Sequence, residues 1–204
     1  MVFEIRRSMP RANTWAVGVT SAVRREGRTS SSIGLAGALA HETGEQVVLV
    51  DADFRNPDLA EFFGVDTAPG LYDCLEERCT LARILAHTRT PNLTLVPSGA
   101  PAQGGGSSLD TPFAAIRRLP ALLAQLREAF TYMVVDMPPL LEGADAAGVA
   151  GQLDGVVLVT RAGVSEMLQI EEGVQMLLGA NLVATATILP ADPTPLWAQR
   201  LLKA

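Results

Sequence analysis

Short runs of apolar residues, many of them β-branched, alternate along this chain with longer stretches in which apolar residues recur at helical spacing. The short runs predict strands at residues 15–20, 46–50, 93–96, 132–135, 155–160 and 182–189. Most of these runs are continuously apolar, which is typical of strands buried on both faces of a parallel sheet. The longer stretches predict helices at residues 29–42, 57–63, 81–86, 112–130 and 165–178.

This alternation predicts an α/β fold with a mostly parallel central sheet flanked by helices, because parallel neighbours are joined by crossover helices. We expect one domain over residues 15–204, preceded by an N-terminal arm at residues 1–14. Residues 98–111 are rich in glycine and serine and interrupt the alternation, so they are predicted to form a flexible loop. Ligands of such sheets bind beyond the carboxyl ends of the strands, and candidate chemistry is therefore sought there.

Composition narrows the setting of this domain. The chain of 204 residues carries a net charge of −6, which argues against a general nucleic-acid-binding protein. It has no run of about 18 apolar residues, so no transmembrane segment is predicted. Its polar and basic start lacks the apolar stretch of a secretory signal, which favours a cytoplasmic location.

A candidate phosphate-binding loop follows the first predicted strand. Residues 21–28 lie between a strand and a helix, which is the setting that a phosphate loop requires. Thr29 supplies a hydroxyl suited to a metal ion, whereas Ala22 and Arg28 stand where the usual pattern has its first glycine and its lysine. Taken alone, the segment favours a simple turn capped by Thr29 or Ser30.

Carboxylates follow two further predicted strands. Asp51 and Asp53 come after the strand at 46–50, and Asp136 follows the strand at 132–135. Two-residue spacing sends the first two carboxylates toward the same side of the sheet, where their oxygens suit Mg²⁺ and one of them can accept a proton from a hydroxyl. Asp136 matches the Walker B arrangement, in which a carboxylate supports the metal. Alternatively, Asp51 and Asp53 only cap the turn and helix that follow.

Together these segments resemble the bacterial tyrosine kinases of capsule and exopolysaccharide synthesis, which belong with the deviant-Walker ATPases of the MinD and ParA type. The matching positions are Thr20-Ser21, Glu26-Gly27 and Thr29, then Asp51-x-Asp53-x-Arg55-x-Pro57 (the Walker A′ motif), then Asp136-x-Pro138-Pro139. The likeness extends over about residues 16–178. It implies a three-layer P-loop NTPase fold.

The resemblance also implies a role for each matching residue. The backbone amides that would cradle the phosphates of ATP or ADP are those of Glu26, Gly27, Arg28, Thr29 and Ser30. The side chains that would surround Mg²⁺ are those of Thr29, Asp51, Asp53 and Asp136. Asp51 would act as the base toward a tyrosine hydroxyl, and Arg28 stands in the place of the catalytic lysine.

Several departures from the family pattern accompany this likeness. Arg28 replaces the lysine that reaches the β- and γ-phosphates, so this Walker A motif is degenerate. Arg24 and Arg25 replace the Pro-Gly pair of the loop, and residues 103–109 replace an Asn-Pro-x-Glu-Leu-Leu segment. The family's tyrosine-rich tail, which carries its acceptor sites, is absent from the sequence, so autophosphorylation there is not expected.

These departures leave three hypotheses open, and with them the question of enzymatic activity. The first is a kinase-like regulator of capsule or exopolysaccharide synthesis and export, a pseudokinase that binds nucleotide with weak or no phosphoryl transfer. The second is an active protein-tyrosine kinase that acts on polysaccharide-export proteins. The third is a positioning ATPase of the MinD or ParA type.

The resemblance implies partners as well. Stand-alone members of the family bind a membrane polysaccharide co-polymerase or activator protein, which predicts a peripheral location at the inner face of the cell membrane. The residues Glu4, Arg6, Arg7 and Arg11 are faintly similar to a segment that assembles some of these kinases into rings. Pro10 interrupts any such helix, so a homo-oligomer remains a hypothesis and a loose arm is favoured.

Overall fold

Seven strands form one sheet in the structure, a computed structural model that describes residues 14–99, 116–143 and 145–177 together with the backbone of residues 182–188. The strands are β1 (Trp15–Ser21), β2 (Val47–Asp51), β3 (Ala86–His87), β4 (Leu93–Val96), β5 (Tyr132–Asp136), β6 (Gly155–Arg161) and β7 (Leu182–Ile188). Their order is β3-β4-β2-β5-β1-β6-β7. The short edge strand β3 is antiparallel to β4, and the other pairings are parallel.

Helices lie on both faces of this sheet. They are α1 (Arg28–Thr43), α2 (Leu59–Phe63), α3 (Leu71–Leu75), α4 (Leu119–Ala129), α5 (Asp145–Ala150) and α6 (Met167–Met176). Alternate residues of β2 show the two layers, since Val47 and Leu49 pack in one hydrophobic cluster with Leu35 of α1. Val48 and Val50 pack in the other, with α3 and α4. The predicted α/β fold with a mostly parallel sheet between helical layers is confirmed.

Some local predictions were wrong. The helix predicted at residues 81–86 is a single 3₁₀ turn, Leu81–Arg83, followed by the edge strand β3. Its apolar residues spread over only one turn, which is enough to seat Ile84 in the core but too short to propagate a helix. Helices α3 and α5 were not predicted, because five or six residues show too little periodicity. The N-terminal arm predicted at residues 1–14 and the flexible loop predicted at residues 98–111 lie almost entirely outside the described residues.

The strand register brings three chain segments together at one edge of the sheet. Asp136 at the end of β5 stands opposite Asp51 of β2 on one side and Val19 of β1 on the other. Because β2, β5 and β1 are parallel neighbours, the segments that follow them leave the same edge of the sheet side by side. The predicted phosphate-binding loop after β1 and the predicted carboxylates after β2 and β5 therefore meet in one place.

Candidate functional site

The loop between β1 and α1 contains two residues with positive φ, Arg25 and Gly27. Gly27 precedes α1 with φ of 92°. No side chain of the described residues caps the helix there, so the alternative of a simple turn capped by Thr29 or Ser30 was wrong. Arg25 has φ of 67°, a left-handed conformation that favours glycine, at the position where the kinase pattern has glycine. The first amides of α1 find no partner inside the helix, and its dipole is positive at this end.

Glu26 holds this loop together with its side chain. The carboxylate is fully buried, and one oxygen accepts the backbone N–H of Val23 at 2.8 Å. The other oxygen accepts the hydroxyl of Ser165, which follows β6. Sequence reasoning gave Glu26 a backbone role and missed Ser165, since no motif marks that serine. Glu26 therefore ties the loop to the turn between β6 and α6.

Asp51, Asp53 and Asp136 come together as predicted, each no more than 1% exposed. The capping alternative also proves correct for part of this group. Asp51 accepts the backbone N–H groups of Asp53 at 3.2 Å and of Leu59 at 3.3 Å. One oxygen of Asp53 accepts the N–H groups of Arg55 and Asn56 at 3.2 and 3.1 Å. These bonds fix the directions of two carboxylates inside the fold.

Arg28 reaches inward to this acidic group. Its side chain is 7% exposed, and one terminal nitrogen donates a hydrogen bond to Asp53 Oδ2. Arg28 Nε lies 3.9 Å from Asp136 Oδ1 and, among the described residues, has no hydrogen-bond partner. The cation that the family pattern assigns to phosphates is thus paired with a carboxylate of its own chain.

Two hydroxyls of α1 complete the surroundings of Asp136. Ser32 Oγ lies 2.9 Å from Asp136 Oδ1 and 3.0 Å from the carbonyl oxygen of Arg28, and the Thr29 hydroxyl also hydrogen-bonds to Asp136. Ser32 was missed by sequence reasoning. Its position one helical turn after Arg28 places both on the same face of α1, and that spacing is the signal which could have revealed it.

Burial governs the protonation of the acidic group. The pKa of Asp51 is raised to about 8, chiefly by burial and next by the neighbouring Asp136 carboxylate. The pKa of Asp136 is raised to about 6, because burial outweighs the lowering effects of Arg28 and of the hydroxyls of Ser32 and Thr29. At neutral pH Asp51 therefore holds a proton in this state of the protein.

A second, outer set of ion pairs surrounds the group. Arg24 of the loop pairs with Glu142 at 2.6 Å, and Arg55 pairs with Asp145 at 3.0 Å. Arg161 donates to the carbonyl oxygen of Arg25 at 3.2 Å. These contacts join the segments that follow β1, β2, β5 and β6, and they lie nearer the solvent than the Arg28–Asp53 pair.

The predicted metal ligands have suitable chemistry but not a ready arrangement. Thr29, Asp51, Asp53 and Asp136 offer the oxygen donors that Mg²⁺ prefers. Within the described ranges, however, no group of three or more His, Cys, Asp or Glu side chains is arranged to hold a metal ion. The Arg28 guanidinium takes up one carboxylate and lies 3.9 Å from another. As it stands, the arrangement fits an arginine rather than a metal.

Known proteins resemble this chain over most of its length. The sequence profile of the AAA domain family matches residues 25–177. The tyrosine-protein kinase CpsD of Streptococcus agalactiae is 32% identical over 148 residues, which are 72% of this chain and 62% of that protein. CpsD of Streptococcus pneumoniae serotype 4 is 30% identical over 162 residues, 79% of this chain and 69% of that protein. The chain belongs to this family of bacterial tyrosine-protein kinases.

Solved structures of other proteins share the fold of this chain. The kinase domain of the Escherichia coli tyrosine kinase ETK matches with a TM-score of 0.80 and 23% identity, over 94% of this chain and 73% of that one. MinD of Pyrococcus horikoshii OT3, solved with Mg-ADP, matches with a TM-score of 0.70 and 24% identity, over 92% and 77%. These likenesses show the P-loop NTPase fold. Among the helices described for the present chain, none has the length and apolar character needed to cross a membrane.

Proposed function

We propose that this chain is a kinase-like, nucleotide-binding regulator of capsule or exopolysaccharide synthesis and export, with weak or no phosphoryl transfer. It binds the phosphates of ATP or ADP at the N-terminus of α1, where the amides of Glu26 to Ser30 cradle them. The observation that carries the proposal is the buried ion pair between Arg28 and Asp53. This pair holds back the cation that phosphoryl transfer needs.

Nucleotide binding is supported by the loop and by the relatives. Gly27 and Arg25 adopt left-handed conformations, and the helix that follows them has 16 residues, long enough for a substantial dipole at its N-terminus. A structural neighbour with the same fold was solved with Mg-ADP. Mg²⁺ would accompany the nucleotide and be held by Thr29, Asp53 and Asp136, once Arg28 has released its carboxylate.

Weak transfer follows from the position of the only cation that reaches into the described acidic group. Phosphoryl transfer depends on positioned positive charge, so a guanidinium held by Asp53 contributes little to the transition state. Releasing it breaks a buried ion pair and leaves Asp53 uncompensated. Arginine also presents a wide planar group where the family uses the compact ammonium of lysine.

One observation favours the alternative, an active protein-tyrosine kinase that acts in trans. The pKa of Asp51 is raised to about 8 by burial, which makes this carboxylate a stronger base than an ordinary aspartate. Asp51 is also the residue that the kinase likeness assigns as the base. However, both of its oxygens already accept backbone N–H groups and the side chain is fully buried, so a tyrosine hydroxyl would need the segment after β2 to open.

The cellular setting forms part of the same proposal. We infer a cytoplasmic protein that associates with the inner face of the membrane through a polysaccharide co-polymerase or activator partner. Membership of the CpsD-type kinase family supports this setting. The chain spans 62% of the length of the first of these relatives, and their full activities and partners are therefore inferred here. Self-association is likewise inferred from the family alone.

Two measurements on the wild type and Arg28→Lys test the proposal. Calorimetry with ADP and Mg²⁺ should give micromolar binding to both proteins. Radiolabelled ATP with a tyrosine-containing copolymer as acceptor should show background transfer by the wild type and at least tenfold more by Arg28→Lys. Asp51→Asn in the Arg28→Lys chain is the matched control and should return transfer to background. Equal and robust transfer by wild type and Arg28→Lys would establish an active kinase instead.

A further inference from the structure

We propose that Arg28 takes the place of a divalent cation in the nucleotide-free protein, so that Mg²⁺ enters the acidic group only after Arg28 has left it. This inference rests on the proposed function in one respect, namely that the acidic group is where a nucleotide-associated cation would be held. It goes further by making Arg28 a competitor of the metal. Arg28 then determines the order in which nucleotide and metal bind.

The first argument is the geometry of the acidic group. Asp51, Asp53 and Asp136 are at most 1% exposed, so water does little to compensate negative charge on this group. The cation that compensates them in the described structure is Arg28, through its bond to Asp53 Oδ2 and its approach to Asp136 Oδ1 at 3.9 Å. A second cation in the same small volume would be repelled by the guanidinium at close range.

The second argument is that Arg28 cannot give up its charge. The guanidinium of arginine stays protonated at any ordinary pH, whereas a buried lysine can lose its proton. A family member with lysine here can thus make room for a metal either by moving its side chain or by losing a proton. This chain can make room only by moving Arg28. The lysine-to-arginine difference therefore acts on metal entry as well as on phosphate contact.

The third argument is the incomplete hydrogen bonding of Arg28. Its Nε is buried and lacks a hydrogen-bond partner among the described residues, although buried donors are normally satisfied. The side chain starts at the first residue of α1, beside the helix N-terminus. A phosphate oxygen bound there would offer an acceptor that the carboxylates do not. Nucleotide thus supplies a reason for Arg28 to leave Asp53, and its departure frees an oxygen ligand for the metal.

The test uses Mn²⁺ alone on the nucleotide-free chain, followed by electron paramagnetic resonance and calorimetry. Arg28→Met keeps much of the side-chain volume and removes the charge, and it should bind Mn²⁺ at least tenfold more tightly than the wild type. Arg24→Met is the matched control, since Arg24 lies in the same loop but pairs with the outer Glu142. It should bind Mn²⁺ as the wild type does. Asp53→Asn added to Arg28→Met should abolish the gain.

Wild-type affinity for Mn²⁺ within twofold of that of Arg28→Met overturns the inference. If circular dichroism shows that Arg28→Met does not fold, the comparison passes to Arg28→Lys, which should bind Mn²⁺ at least threefold more tightly than the wild type. Equal affinities there overturn the inference as well. Absence of ADP binding in the earlier calorimetry would defeat the proposed function yet leave this result intact, because no nucleotide is present in the metal titration.

Discussion

Two sets of charged side chains stand at the same edge of the sheet and differ in their access to water. The inner set is Arg28 with Asp51, Asp53 and Asp136, and its central pair is 7% and 1% exposed. The outer set consists of Arg24 with Glu142, at 37% and 32% exposure, and Arg55 with Asp145, at 43% and 14%. Both sets contain arginine–carboxylate pairs. The chemistry of the pairs is alike, and only their surroundings differ.

The difference teaches which charges the fold depends on. In the interior, a charge that loses its partner has no solvent to replace it, so each member of the inner set depends on the others. At the surface, water and salt substitute for a lost partner, and such pairs contribute little. We therefore expect the inner set to control stability and metal entry, and the outer set to be nearly neutral for both.

The largest expected effect comes from Arg28→Met. This change leaves Asp53 and Asp136 buried without their cation, and the free energy of unfolding should fall by about 3–5 kcal/mol. Urea denaturation at pH 7 in a chelating buffer measures the loss. Added Mn²⁺ should restore part of it, because the metal compensates the same carboxylates.

Arg28→Lys provides the graded control for that measurement. Lysine keeps the charge but lacks the planar fork of arginine. The free energy of unfolding of Arg28→Lys should therefore fall by an amount between zero and the fall seen for Arg28→Met. A loss below about 1 kcal/mol for Arg28→Met would contradict the view that Arg28 is the cation on which the inner set depends.

Asp51 should give the protein a dependence of stability on pH. Its pKa is raised to about 8 in the folded chain, against about 3.9 for an unfolded aspartate. Between these values the folded state binds the extra proton, so the free energy of unfolding falls as pH rises and levels off above about pH 8. The fall from pH 6 to pH 8 should approach about 2 kcal/mol without divalent cations, and urea denaturation at each pH measures it.

Asp51→Asn should flatten this slope, whatever constant offset arises from the changed hydrogen bonds to Asp53 and Leu59. Asp58→Asn is the matched control, because Asp58 is an exposed aspartate that follows the same strand. Its slope should equal that of the wild type. Identical slopes for the wild type and Asp51→Asn would show that Asp51 does not hold a proton in the folded protein.

The contrast between the two sets also marks what could be predicted from sequence. Continuous apolar runs predicted the parallel strands. Because parallel strands end at the same edge of the sheet, the positions of Asp51, Asp53 and Asp136 at that edge could be predicted as well. The direction of Arg28 could not be predicted, because a loop cation can turn to a phosphate or to a carboxylate, and the sequence favours neither. The outer partners Glu142 and Asp145 were missed because they lie in a 3₁₀ turn and a six-residue helix too short for periodicity.

Ser32→Ala should have a moderate effect. It removes a hydroxyl that lies 2.9 Å from the Asp136 carboxylate, and hydrogen bonds to buried charged groups contribute about 1.5 kcal/mol or more. The hydroxyl of Thr29 still contacts Asp136 and limits the loss. Thermal and urea denaturation measure it, with Ser30→Ala, an exposed serine of the same helical turn, as the control. Equal stability of the two variants would mean that Ser32 does not support the inner set.

The smallest effect is expected for the outer set, and it decides whether the comparison holds. Arg24→Ala and Arg55→Ala should each lower the free energy of unfolding by less than about 1 kcal/mol, because their pairs are partly solvated. A double-mutant cycle of Arg24→Ala with Glu142→Ala should give a coupling of about 0.5 kcal/mol that vanishes in about 1 M salt. A salt-resistant coupling above about 2 kcal/mol would mean that Arg24 and Glu142 behave as a buried pair. The segments after β1 and β5 would then be locked together, and the acidic group could not open to a metal without breaking both sets at once.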